Sequence, residues 1–145
     1  MSARPKVPLV ARILLGLAFT VFGFNFFLHF LPQPALSPEA GAFFAQLSAG
    51  KIMTVIKIFE VACGLALLAN RFVPLALTLL APVEIGIFTY HAVFDPSGLP
   101  VIAILMALTI YLAWAYRAAF APMLRARVEP TAGNAVIAPH HPATV

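Results

Sequence analysis

Lys57 and Glu60 stand three residues apart inside an apolar run, in the stretch IKIFEVACG from Ile56 to Gly64. Placing one charge at a bilayer centre costs about 2.5–3.5 kcal/mol on insertion scales, so such groups mark sites more often than accidents. The other apolar runs carry polar groups as well. Asn25 and His29 are four residues apart in the first run, and Glu84 and His91 are seven apart in the third, so each pair falls on one helical face. The fourth offers Thr109, Tyr111 and Tyr116. An ammonium at Lys57 supplies positive charge, a carboxylate at Glu60 orients it, and Glu84 with His91 can hold a proton. One ammonium against two carboxylates leaves a net negative charge, which predicts one shared proton, on Glu84 or on a neighbouring histidine.

Plainer readings stand beside these. Lys57 and Glu60 could be a structural pair that fixes helix rotation. His29 and His91 could ligate a haem from two facing helices. Nothing else marks a haem pocket, and a satisfied polar histidine is the commoner case. The single cysteine, Cys63, provides no C-x-x-C pair and so no dithiol chemistry within these 145 residues. The sequence holds no Walker motif, no G-x-G-x-x-G, no metal-ligand spacing and no nucleophile–base pair. His140–His141 is a weak metal signal.

Four apolar runs must position the polar groups: about 9–31, 52–69, 73–94 and 101–120. Each is near the roughly 20 residues that cross a bilayer. At 1.5 Å per residue, Glu60 and Glu84 fall near mid-span, while His29 and His91 lie on the order of 10–13 Å further out. Composition agrees: the chain is 62% hydrophobic and 10% charged, against about 25% charged for ordinary soluble domains. The expected fold is therefore an all-α membrane protein, a four-transmembrane-helix antiparallel bundle with short turns at Ala69–Phe72 and Asp95–Pro100. Gly16 and Gly23 suit close helix packing. The first run extends well past a signal-peptide core and reads as an uncleaved span.

A short amphipathic helix is expected at about 38–48. Ser37 can cap it, Pro38 suits its first position, and Ala40, Phe43, Phe44 and Leu47 make one apolar face. Basic residues are lopsided: Arg4, Lys6, Arg12, Arg71, Arg117, Arg125 and Arg127 lie at one set of span ends, against Lys51 at the other. The positive-inside rule then places both termini in the cytoplasm. The same clustering beside apolar spans argues against nucleic acid as a partner, despite a pI near 9.7. The segment 125–145 is expected to be a disordered cytoplasmic tail.

Several stretches together resemble the DoxX family of small four-helix bacterial membrane proteins. They are ARILLGLAFTVFGFNFFLHFLP (Ala11–Pro32), IKIFEVACGLALLANRFVPLALTLLAPVEI (Ile56–Ile85), HAVFDPSGLP (His91–Pro100) and LAWAYRAAFAPML (Leu112–Leu124). Asn25, Lys57, Glu60 and His91 match the family's polar positions. The third helix departs from it, with Glu84 and Gly86 where an Asn commonly follows Pro-Val and two aliphatics. The resemblance implies an inner-membrane accessory to a redox or oxidative-stress system, binding a small amphipathic ligand such as a quinone. A partner redox enzyme or a homo-oligomer would fit that role. A proton-linked carrier of small solutes and a non-catalytic assembly partner are the rival readings.

Overall fold

The computed structural model describes residues 6–32 and 35–128. The predicted disordered tail beyond residue 128, with His140–His141, lies outside the described residues, as does Arg4. Among the described residues all regular structure is helical: α1 Lys6–Leu28, α2 Pro38–Ala49, α3 Ile52–Leu68, α4 Val73–Phe94, α5 Leu99–Ala115 and the short α6 Arg117–Phe120. Single 3-10 turns cover Pro96–Gly98 and Ala121–Leu124.

Local chemistry explains where these helices start and stop. Ser37 accepts a hydrogen bond from the Ala40 N–H at 3.2 Å, and Pro38 begins α2, so a donor that needs a cap is served and a residue without one comes first. Lys51, at φ 59°, turns the chain directly from α2 into α3. The end of α3 is a Schellman motif. Asn70 takes a left-handed φ of 56°, Arg71 N–H bonds Ala66 O at 2.9 Å and Asn70 N–H bonds Leu67 O at 3.1 Å. Asparagine tolerates that conformation better than most residues.

α1 runs beside α3, α3 beside α4, α4 beside α5, and α5 returns to α1. The α1–α3 contact is the closest because it is built on glycine. A Cβ on Gly64 would stand 2.8 Å from the Thr20 backbone nitrogen and 2.9 Å from Gly16 O. Arg12 locks the same contact from below. It is buried, and its guanidinium donates to Leu67 O, which also takes the Asn70 N–H, and to Leu68 O at the end of α3. The positive charge also suits the helix C-terminus.

The packed core lies at this end of the ring, around Leu15, Phe19, Leu67, Leu77, Leu80 and Leu112. Large apolar side chains also cover the outside, among them Leu14, Leu17, Ile58, Leu75, Ile104 and Ile110. Soluble monomers rarely expose contiguous apolar faces of this extent, whereas lipid accepts them. Three helical segments are long and apolar enough to cross a membrane: Lys6–Leu28, Val73–Phe94 and Pro96–Ala115. α3, at 17 residues, is about 26 Å long, a little short of a hydrocarbon core of about 30 Å.

Candidate functional site: a cavity beneath α2

Away from the core, the helices part around a cavity of about 770 Å³. Drug-sized ligands and cofactors occupy sites of about 300–1,000 Å³. Pro82, inside α4, lies in the cavity wall and leaves the Thr78 carbonyl without its helical donor. Val83, Gly86, Ile87 and Tyr90, spaced at three and four residues, carry the wall onward. α2 closes the top. Its apolar face sets Phe43 against Phe94 at a ring distance of 5.3 Å and Phe44 edge-on to Tyr90 at 5.3 Å. These aromatic contacts hold α2 against the end of α4, and Phe43, Phe44 and Leu47 line the space beneath.

Most of the lining is apolar, with polar groups at two places. One is the α1–α3 wall. Lys57 Nζ donates to both carboxylate oxygens of Glu60, each at 2.9 Å. Both line the cavity, and the Lys57 side chain is 17% exposed against 2% for Glu60, so the lysine is the more accessible of the pair. Asn25 lies on the same lining and is buried. Its Oδ1 accepts the Leu31 N–H at 2.7 Å, which ties down the chain where α1 ends. The second polar place is the mouth at the end of α4. His91 Nδ1 faces Asp95 O at 3.1 Å and Asp95 Oδ2 at 3.3 Å, and Ser97 Oγ donates to the Asp95 carboxylate. The Ser97 bond, helped by His91, holds the Asp95 carboxyl below the usual aspartate value.

Asn25, Lys57, Glu60 and His91 are thus brought to one cavity. Three other residues expected there are not. His29 lies beyond the last residue of α1, exposed, at φ 51°, with its N–H on Asn25 O at 2.8 Å. It serves as the left-handed stop of the helix, so the four-residue spacing that would align it with Asn25 does not apply. The histidine pair needed for haem ligation is therefore not assembled.

Glu84 is buried, but α5 covers it: Thr109 Oγ1 donates to Glu84 Oε1 at 2.6 Å. Although it shares a helical face with His91, it does not line the cavity. The expected three-charge cluster is therefore not formed. Lys57 and Glu60 balance each other, which leaves Glu84 apart from them as a buried carboxyl with Thr109 as its hydrogen-bond partner. Tyr111 packs against the core and Trp114, with ring centroids 6.4 Å apart, at the opposite end of α5 from the mouth.

The sequence reading also missed participants. Tyr90, next to His91, also lines the cavity, on the i, i+3, i+4 spacing from Gly86 and Ile87. Arg12 was counted only as a topology signal, and its burial shows nowhere in a linear pattern. Among the described residues no three His, Cys, Asp or Glu side chains converge to hold a metal.

The fold and site define an all-helical protein with helices fit to cross a bilayer and a largely apolar cavity with polar groups at two points. Comparison with protein-family models, with curated proteins and with solved structures finds no match.

Proposed function

We propose that this is a DoxX-like, four-span membrane protein that binds a small amphipathic molecule beneath α2, as an accessory to a membrane redox system. A quinone is the leading ligand class. The single observation that carries the reading is the cavity of about 770 Å³ in which a largely apolar lining meets the polar wall of Lys57, Glu60 and Asn25. α3 serves as the fourth span in this reading. Its 17 residues lie at the short end of the workable range of about 17–25. Basic residues at the core end of the helices support an inner-membrane protein with both termini inside. The redox association rests on the family resemblance, as does a partner enzyme.

The packed core argues for a binder over a carrier, since a solute would have to pass Leu15, Leu67 and Leu80 to leave by the other end. A structural role for the polar wall has one observation in its favour, the closed two-oxygen pairing of Lys57 with Glu60.

Gly86 offers a direct test. It lines the cavity, and a Cβ there meets nothing within 4 Å. Gly86→Leu should fold normally while placing a branched side chain in the ligand space. Decylubiquinone binding to the full chain in nanodiscs, measured against empty nanodiscs, should fall at least about tenfold, the effect of losing about 1.4 kcal/mol of contact. Unchanged binding would place the ligand elsewhere and defeat the reading.

A further inference from the structure

We propose that the α1–α3 wall is a hydrogen-bond donor site, which makes the cavity select apolar molecules headed by carbonyl oxygens over the corresponding alcohols. This rests on the ligand-binding reading above and adds the chemistry of the head group.

The inference follows from which polar atoms are already committed. Lys57 has three N–H donors, and two meet the Glu60 oxygens at 2.9 Å. The third has no protein partner among the described residues. Glu60 also lines the cavity and keeps spare lone pairs, but its side chain is 2% exposed and both its oxygens rest on Lys57. Asn25 points the same way. Its contact at 2.7 Å is with the Leu31 backbone N–H, which can only donate, so the amide atom held there must be the oxygen. The free end of the amide is then its NH2. What this wall has left to offer is N–H from Lys57 and N–H from Asn25, against acceptors only on the 2% exposed Glu60 side chain, whose two oxygens Lys57 already occupies.

A carbonyl oxygen accepts from such a wall with nothing left over. A hydroxyl placed there accepts less well, and its own O–H is stranded in an apolar surrounding, which is the costly half of a mismatch. The α4 side does not share this bias. His91 Nδ1 faces two oxygen acceptors of Asp95, so Nδ1 carries the proton and a neutral ring presents Nε2 as an acceptor. The Tyr90 hydroxyl both gives and accepts. A molecule with oxygens at both ends is therefore discriminated at the Lys57–Asn25 end alone.

For a quinone and its quinol the ring and tail are the same, so the pair isolates the head group. The test is anaerobic equilibrium binding of decylubiquinone and decylubiquinol to the full chain in nanodiscs. The oxidised form should bind at least about tenfold more tightly, the effect of one stranded donor. Asn25→Asp keeps an oxygen for the Leu31 N–H and replaces the NH2 by a second oxygen, and it should shrink that ratio. Should that variant not fold, Lys57→Met with Glu60→Gln removes the ammonium without stranding a carboxylate, and should also shrink the ratio. Equal affinity for both forms, with both displaced by Gly86→Leu, would overturn the donor-wall inference and leave the cavity reading intact. Binding of neither form would overturn both.

Discussion

Removing the Lys57 ammonium alone should be far more damaging than removing it together with the Glu60 charge. The Glu60 side chain is 2% exposed and both its oxygens rest on Lys57. In Lys57→Met that carboxylate stays buried with no cation, a change that costs about 3–5 kcal/mol for buried pairs, and the lower end applies because the wall opens onto a cavity. Glu60→Gln leaves a lysine that can extend into the cavity to find solvation, so its cost should be nearer 1.5 kcal/mol, that of one charged hydrogen bond. The double variant strands no charge and should lose about 1.5 kcal/mol for its imperfect amide packing. The sum of the singles then exceeds the double by about 3 kcal/mol, which is the coupling energy of the pair. Unfolding of the four proteins by SDS in mixed micelles, followed by far-UV circular dichroism, measures each quantity. Singles that add up to the double within about 0.5 kcal/mol would refute the claim that Lys57 and Glu60 depend on one another in the folded protein.

Two further outcomes follow from the geometry. Gly64→Ala should destabilise by about 0.5–2 kcal/mol in the same assay, because overpacking against immovable backbone outweighs the helix-propensity gain. Gly41→Ala in α2, where a Cβ meets nothing within 4 Å, should instead stabilise by about 0.5–1 kcal/mol, and a destabilisation there equal to that at Gly64 would contradict the close approach of α1 and α3. At the mouth, Asp95 is the one aspartate in the chain, so a carbon-13 aspartate label reports it alone. Its carboxyl should titrate below the ordinary aspartate value, first because of the Ser97 hydrogen bond, and Ser97→Ala should move it back up. A folded value below the unfolded one stabilises the His91–Asp95–Ser97 corner above the ordinary aspartate value, and that support disappears as pH falls through the lower folded value. No movement in Ser97→Ala would remove Ser97 as the cause.

Periodic features were legible in the sequence, and features that depend on a neighbour were not. Apolar runs located the helices because hydropathy acts residue by residue. Ser37, Pro38 and the Phe43–Phe44–Leu47 face located α2 for the same reason. Asn25, Lys57, Glu60 and His91 could be picked out as costly groups in apolar runs, and they do meet at one cavity. Which face each would show was harder to read. His29 aligns with Asn25 only where the helix continues, but α1 stops at Leu28, and a left-handed residue points elsewhere. Glu84 was joined to the charged cluster by depth alone, whereas Thr109 on α5 claims it sideways. Depth along a helix can be counted from sequence, but the identity of the neighbouring helix on each side cannot. Arg12 shows the same limit, since its partners are carbonyls some 55 residues away that become available only where α3 ends.

The central claim is that an amphipathic ligand sits beneath α2 against the Lys57 wall. Photolabelling of the full chain in its native membrane, using a decylquinone that carries a diazirine near the ring, tests it most directly. Peptide mapping should place the label on cavity-lining residues of α3 and α4, such as Ile56, Val83 and Ile87, and excess unlabelled decylubiquinone should suppress it. Label confined to outward-facing residues such as Ile58, Ile85 and Ile104, and insensitive to competition, would contradict the account.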